Sequence, residues 1–158
     1  MSAAAGSLQV GIISDTHGLL RSETLRELAG MDHILHAGDI GDANILETLR
    51  KIAPVTAIRG NVDTSGDCAE LPPVEVVELG GSLFYLVHAI SDLDIAPAAA
   101  GIRVVVYGHS HSPEMKEQDG VIYVNPGSAG PRRFNLPVTL AHAVVEHEEI
   151  RIRIVPLV

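Results

Sequence analysis

Two observations on the sequence predict an α/β fold. Apolar runs alternate with amphipathic segments over residues 8–59, and this alternation implies right-handed crossovers and a parallel sheet. After a loop at 61–73 that is rich in Asp, Gly and Pro, the chain changes to strands joined by short turns. Residues 1–158 contain no internal repeat and no interdomain linker. We therefore expect a single domain, preceded at residues 1–7 by a small, polar and flexible tail.

Two helices are predicted in the first half. Ser22 and Asp42 are expected to act as their N-caps, since these side chains accept hydrogen bonds from free backbone N–H groups. Gly30 and Pro54 are expected to end the same helices. In chain order, the first half is predicted to contain strand 8–13, helix 22–30, strand 33–37, a helix with the apolar stripe Ile45, Leu46, Leu49 and Ile52, and strand 55–59.

Turn signals organise the second half. Gly80-Gly81 separates two apolar runs as a two-residue hairpin, and Asp119-Gly120 marks a second turn. The strict alternation in 150–155 predicts a half-exposed strand, and its exposed edge leaves a homo-oligomer open. The predicted elements are strands 74–79, 82–87, 102–107, 121–124, 138–145 and 150–155, and a short helix at 92–100 with Pro97 in its interior.

The composition restricts the class of protein. With 46% hydrophobic and 20% charged residues, the chain fits a compact globular protein. A net charge of -9 without a basic stripe argues against stable nucleic-acid binding. No apolar run approaches the roughly 20 residues that span a bilayer, and the first residues lack the features of a signal peptide. The single Cys68 forms no internal disulfide, so we expect a soluble protein of the reducing cytoplasm.

Potential metal ligands follow five of the predicted strands. Because the loops beyond the carboxyl ends of strands converge in open α/β sheets, these side chains are expected to meet. His17 and His111 each lie two residues from one of them and reach the same place. The five residues are Asp15, Asp39, Asn61, His88 and His109.

Each motif alone also has a simpler interpretation. Asp15-Thr16-His17-Gly18, Gly38-Asp39 and Gly60-Asn61 are typical of ordinary turns. A histidine such as His88 in an apolar strand is usually a hydrogen-bonded core residue. Gly108-His109-Ser110-His111 is more informative, because two imidazoles on one tight loop can address two adjacent ions. Mixed oxygen and nitrogen ligands suit Mn, Fe, Zn, Co or Ni rather than Ca or Mg alone.

Taken in order, the motifs resemble the signature of the calcineurin-like metallophosphoesterase family. The likeness spans residues 8 to 134 and is greatest to the small single-domain bacterial and archaeal phosphodiesterase branch, which has a segment similar to Asn125-Pro126-Gly127-Ser128. It implies a sandwich of two mixed β-sheets flanked by helices. The motifs are Asp15-x-His17, Gly38-Asp39, Gly60-Asn61-x-Asp63, His88 and Gly108-His109-x-His111.

The resemblance also implies a binuclear centre of two divalent transition-metal ions, with manganese favoured. A hydroxide that bridges the ions would attack phosphorus in line, and the substrate would be a small phosphodiester. Asp39, Asn61 and His109 are implied as catalytic residues, with Asp39 as the bridging ligand. By the same resemblance, the first ion is held by Asp15, His17, Asp39 and His111, and the second by Asp39, Asn61, His88 and His109.

One residue departs from the wider family pattern. Much of that family has a histidine after the motif asparagine, where it assists the leaving group, but here the residue is Val62. Valine cannot transfer a proton, and general acid catalysis is worth about 10²–10⁴-fold. Esters with poor leaving groups should therefore react slowly, unless another group replaces the histidine.

Several polar residues each have two interpretations. Asp63 and His36 either brace the site or are an ordinary turn aspartate and a structural histidine. Arg132 and Arg133 either bind a substrate phosphate as guanidinium forks or are solvated surface residues. The segment 125–128 either belongs to the site or is only a tight turn.

Three functions remain open from the sequence. The first is a phosphodiesterase, the second a phosphomonoesterase or protein phosphatase on the same site, and the third a scaffold like the retromer subunit that resembles this family. Retention of all seven ligand positions favours an enzyme, because a scaffold has no chemical need for them. Val62 and the absence of an insertion that could build a peptide groove favour diesters over phosphoproteins. The natural substrate is not indicated.

Overall fold

Two five-stranded mixed β-sheets form the structure, a computed structural model that describes residues 7–158. The fold class expected from the sequence is confirmed. The predicted tail lies outside the described residues except for Ser7, which pairs with Glu146. In chain order the elements are β1 (Ser7–Ile13), α1 (Ser22–Leu28), β2 (His33–His36), α2 (Ala43–Arg50), β3 (Val55–Ala57), β4 (Val74–Leu79), β5 (Ser82–Val87), β6 (Ile102–Val106), β7 (Glu114–Gln118), β8 (Val121–Asn125), β9 (Thr139–Glu146) and β10 (Glu149–Pro156).

The first sheet has the strand order β10-β9-β1-β2-β3. β1, β2 and β3 are parallel, as the alternation of strands and helices predicts, and their carboxyl ends therefore lie at one edge. β9 and β10 extend the sheet as antiparallel strands. β10 is an edge strand with alternating exposure, so the predicted half-exposed strand is confirmed and the homo-oligomer stays a prediction.

The second sheet has the order β4-β5-β6-β8-β7. β5, β6 and β8 are parallel, and the antiparallel β4 and β7 form its edges. The predicted hairpin turn is confirmed, because Gly80 and Gly81 have φ angles of 59° and 84°, which two-residue hairpins require. Asp119 and Gly120 form the other predicted turn, with φ angles of 54° and 79°.

The strands in the middle of each sheet are buried on both faces. Ile12 and Leu35 of the first sheet pack against Phe84 and Val104 of the second, which forms the core between the sheets. The opposite face of the first sheet carries Ile34, which packs with residues of both helices. The sheets are therefore fixed to each other by apolar packing, and both can contribute to a site at their common edge.

The helices differ from the prediction at their ends. Arg21, not Ser22, occupies the N-cap position of α1, and it makes no side-chain cap hydrogen bond. Ser22 is the first helical residue, and its hydroxyl contacts Glu23 at 3.4 Å. Asp42 is confirmed as the cap of α2, since it accepts a hydrogen bond of 2.9 Å from the backbone N–H of Asn44. α2 ends at Arg50, before Pro54 is reached.

Two further segments differ from the sequence prediction. The helix expected at 92–100 is absent from the described chain; a short 3₁₀ helix at Ile90–Asp92 and a turn that begins at Pro97 are present instead. The prediction placed proline in a helix interior, where it removes a hydrogen bond and clashes. β7 was not predicted, because its five residues are all exposed and show no apolar alternation.

Within residues 7–158, neither helix is long and apolar enough to cross a membrane.

Leu28 tests how far α1 depends on the core. Its side chain is fully buried against the first sheet, whereas Leu25 in the same helix is half-buried. We expect Leu28→Ala to lower the free energy of unfolding by about 2–5 kcal/mol, because the transfer and cavity costs add. Leu25→Ala is the matched control and should cost under about 1.5 kcal/mol. Urea denaturation measures both, and equal losses would contradict the packing described here.

Candidate metal centre

The seven candidate ligands lie together where the two sheets share an edge. The loops after β1, β2 and β3 supply four of them from the first sheet, and the loops after β5 and β6 supply three from the second. The convergence expected from the strand order is therefore present. In chain order the residues are Asp15, His17, Asp39, Asn61, His88, His109 and His111.

The first group consists of Asp15, His17 and His111, whose ligand atoms all lie within 4.8 Å of one another. His17 Nε2 is 3.2 Å from His111 Nε2. Asp15 Oδ1 is 3.8 Å from the first of these nitrogens and 3.5 Å from the second. Two imidazole nitrogens and one carboxylate oxygen therefore face a common point.

The second group consists of Asp39, His88 and His109, with the same mutual limit of 4.8 Å. Asp39 lies between the two groups. Its Oδ2 is 3.2 Å from Nε2 of His88 in the second group and 3.5 Å from Nε2 of His17 in the first. The arrangement is the one expected of a ligand shared by two neighbouring ions.

The hydrogen bonding of Asp15 fits a cation bound beside its carboxylate. Its Oδ2 accepts hydrogen bonds from the Ser14 hydroxyl at 2.8 Å and from the His109 backbone N–H at 3.1 Å. Its Oδ1 is buried and has no hydrogen-bond partner among the described residues, although it faces the histidine nitrogens. A buried carboxylate oxygen without a donor is costly. A metal ion at this position would satisfy it.

The amide of Asn61 is the second feature that fits a bound cation. One end of its amide lies 3.1 Å from both His88 Nε2 and Asp39 Oδ2. With nitrogen at that end, the amide donates hydrogen bonds to both atoms; with oxygen there, three acceptors meet without a proton between them. The second orientation is the one that binds a cation. The donor set at this point is therefore suited to a divalent ion with mixed oxygen and nitrogen ligands.

The ring of His88 is oriented by the backbone. Its Nδ1 lies 2.7 Å from the carbonyl oxygen of Ala37, so Nδ1 carries the proton and donates it there, which leaves Nε2 to face the cluster. Burial alone would lower the pKa of His88, but the contacts with Asp39 and the Ala37 carbonyl raise it. Protons therefore compete with metal ions for this residue.

Burial also sets the charge states of the other ligands. It raises the pKa of Asp15, against the effect of the Ser14 hydrogen bond. Burial opposes the charge of Asp39 too, but the contact with His88 and the hydrogen bond from the Val62 N–H lower its pKa to about 2. Burial and the positive charge of Arg133 lower the pKa of His111 to about 4, so this imidazole is neutral at pH 7 and able to bind a metal.

Five of the seven candidate ligands have backbone in the left-handed region. The φ angles of Asp15, His17, Asp39, His109 and His111 lie between 46° and 75°. Aspartate adopts left-handed backbone more readily than most residues, but this conformation is strained for L-residues. Such outliers cluster at functional sites, where the surrounding structure holds them.

His36 links the loop after β1 to the loop after β2. Its side chain is fully buried, and burial lowers its pKa to about 3. Nδ1 accepts a hydrogen bond from the Gly38 N–H at 3.1 Å, and Nε2 lies 3.0 Å from the Thr16 hydroxyl. Since that hydroxyl donates to the Ile40 carbonyl at 2.9 Å, it accepts from Nε2–H. Of the two interpretations from the sequence, the structure supports bracing.

Asp63 joins the loops after β2 and β3. It is 4% exposed and accepts hydrogen bonds of 2.8 to 3.1 Å from the backbone N–H groups of Ile40, Gly41 and Gly60. An ordinary turn aspartate would be exposed. Its side chain therefore braces the loops that carry Asp39 and Asn61.

The segment 125–128 also supports the site, and is more than a turn. Asn125 Nδ2 donates to the Gly108 carbonyl at 3.1 Å, in the loop that carries His109. The Ser128 hydroxyl donates to the Asp15 carbonyl at 2.8 Å. The sequence did not predict these hydrogen bonds of Asn125 and Ser128, nor the contact of Thr16 with His36, because long-range hydrogen bonds leave no local pattern.

The two arginines differ in position. Arg132 Nη1 donates to the Leu136 carbonyl at 3.2 Å and is exposed. Arg133 is also exposed, but its charge contributes to the lowered pKa of His111. Of the two arginines, Arg133 is therefore the one whose charge acts on a residue of the cluster.

This fold and this cluster define a class of protein. Residues 8–148 match the calcineurin-like phosphoesterase superfamily domain, and the chain belongs to that superfamily. The family is metal-dependent, and the chain has two groups of side chains that can hold metal ions.

Two sequence relatives and one structural neighbour are similar to the chain. The chain is 27% identical to a protein of Methanocaldococcus jannaschii named "Probable metallophosphoesterase", over 96% of this chain and 83% of that one. It is 30% identical to a phosphodiesterase of Escherichia coli, over 73% and 76%. Vacuolar protein sorting protein 29 of Cryptosporidium parvum has the same fold, with a TM-score of 0.77 at 18% identity and coverage of 94% and 96%.

Asp63→Asn tests the brace between the loops. The amide would present a donor to at least one of the three backbone N–H groups, so we expect a loss of about 2–4 kcal/mol in the free energy of unfolding. Asp67→Asn is the matched control, because Asp67 is exposed in the same loop and should change stability by less than about 0.5 kcal/mol. Guanidinium denaturation of the metal-free proteins compares them; a silent Asp63→Asn would show that the brace is dispensable.

Proposed function

We propose that the protein is a binuclear metal-dependent phosphodiesterase. The observation that carries this proposal is the pair of ligand groups that share Asp39, with an unpartnered carboxylate oxygen of Asp15 aimed at the first group. On this proposal Asp15, His17, Asp39 and His111 hold one ion, and Asp39, Asn61, His88 and His109 hold the other. Manganese is the favoured metal, with Ni, Fe, Zn or Co as alternatives.

The chemistry of such a centre suits a phosphate ester. Two divalent ions held by these residues would supply positive charge for the anionic phosphate and an activated water as nucleophile towards phosphorus. The chain positions the ligands: the carbonyl of Ala37 orients His88, and the Val62 N–H holds Asp39 through Oδ1 at 3.0 Å. Asn61 and His109 lie on the exposed side of the cluster, where the substrate enters.

Val62 bears on the choice between esters. Its side chain is 43% exposed beside the site and offers no proton to a leaving group. Substrates whose leaving groups need little protonation are therefore favoured, and on this proposal Arg133 is a cation close enough to the cluster to bind the phosphate. The name of the Escherichia coli relative supports a diesterase over a monoesterase.

The buried free thiol of Cys68 fits a reducing cytoplasm.

A non-catalytic scaffold is the second candidate, favoured by the shared fold with vacuolar protein sorting protein 29. It does not account for the strained backbone of five ligand residues or for the buried braces beneath them. We therefore place it below the enzyme.

Metal-dependent hydrolysis tests the proposal. Metal-stripped protein is titrated calorimetrically with Mn²⁺, and a chromogenic phosphodiester and phosphomonoester are assayed before and after reloading. We expect two ions per chain and diester turnover that requires them. Asp39→Asn and His111→Asn should each lower kcat/KM by at least about 100-fold, since asparagine is too short to replace His111 Nε2.

His147→Asn is the matched control for His111→Asn. Both histidines have left-handed backbone, with φ angles of 58° and 66°, and His147 is exposed on a turn outside the cluster. Asparagine tolerates this backbone, so backbone strain does not separate the two variants. His111 is also buried, and thermal melting of both variants therefore separates a loss of fold from the loss of a ligand. Two bound ions without hydrolysis of either ester would instead favour the scaffold.

A further inference from the structure

A cleft adjoins the second ligand group. It has a volume of about 550 Å³, which is within the range of pockets that hold small organic ligands. Its lining includes Asn61, His88 and His109. A phosphate bound at the cluster would therefore have one of its ester groups inside this cleft.

The lining of the cleft carries both signs of charge. Arg59 is one of the lining residues, and its Nη1 donates a hydrogen bond of 2.6 Å to the carbonyl oxygen of Leu71. This contact holds the guanidinium in place but leaves its charge unneutralised, because the partner is a neutral carbonyl. Ser91 and Asp92 also line the cleft and are exposed. The cleft therefore offers both hydrogen-bond donors and hydrogen-bond acceptors to a ligand.

The remaining lining is aliphatic. Pro73, Val74, Val87 and Ala89 supply it, and the only aromatic rings among the lining residues are the imidazoles of His88 and His109. On the proposed function these imidazoles bind metal. A nucleobase would therefore find no ring on which to stack.

We propose that this cleft is the subsite for one alcohol group of the phosphodiester, and that it selects an aliphatic alcohol with several hydroxyl groups, such as glycerol or a sugar alcohol. The inference rests on the proposed function, since residues of the metal centre line the subsite. Arg59 and Asp92 both line the cleft, and hydroxyl groups can both accept from a guanidinium and donate to a carboxylate, which neither a purely anionic nor a purely apolar group can do.

Product binding tests the subsite without turnover. The manganese-loaded protein is titrated calorimetrically with glycerol 3-phosphate, phenyl phosphate and inorganic phosphate. We expect glycerol 3-phosphate to bind at least about ten-fold more tightly than inorganic phosphate, because one charge-assisted hydrogen bond is worth that factor. Phenyl phosphate should bind more weakly than glycerol 3-phosphate, because its ring gains only apolar contacts with the aliphatic lining.

Val74→Trp and Val76→Trp form a matched pair for this test. Both valines are exposed on β4, by 39% and 46%, but only Val74 lines the cleft. Val74→Trp should remove the preference for glycerol 3-phosphate, and Val76→Trp should keep it. Arg59→Gln should reduce the preference by about ten-fold. Thermal melting and manganese stoichiometry confirm that each variant is folded.

The outcomes separate the two proposals. If the wild type hydrolyses a chromogenic diester with manganese but binds phenyl phosphate as tightly as glycerol 3-phosphate, the subsite is overturned and the enzyme stands. A preference that persists in Val74→Trp also overturns the subsite. If the loaded protein neither binds phosphate nor hydrolyses the diester, both proposals fail.

Discussion

Asp15 is the residue on which the site depends, because its hydrogen bonds join both sheets. Its backbone N–H donates to the Gly38 carbonyl at 3.0 Å, and its own carbonyl accepts from Ser128. Its carboxylate accepts from the His109 N–H. Loops after β1, β2, β6 and β8 therefore meet at a single residue, which is itself fully buried. The relative position of the two sheets is thus part of the geometry of the site.

This dependence connects the apolar core to the chemistry. The sheets are held together by packing of side chains such as Leu35 and Phe84, while the ligands are held by polar contacts at the carboxyl edge. No single loop contains a complete ligand group, since His111 comes from the second sheet and Asp15 and His17 from the first. The cluster therefore forms only when the whole domain has folded.

The parts that the sequence predicts are those with a local cause. Ligand residues directly after apolar runs, the Gly80-Gly81 hairpin and the Asp42 cap are each visible within a few residues. Features that depend on distant partners were not predictable. Thr16 braces His36 across twenty positions and Asn125 reaches Gly108 across seventeen. β7 forms because it pairs with β8, although its own residues are all exposed.

The left-handed backbone of the ligand residues has a consequence for how the chain can change over generations. At each such position glycine would relax the loop, and the strain removed is on the order of 1 kcal/mol. Selection for stability alone therefore favours glycine at these places, while selection for the metal centre opposes it. At the five left-handed aspartates and histidines of the cluster, stability and ligand chemistry therefore place opposite demands on the same residue.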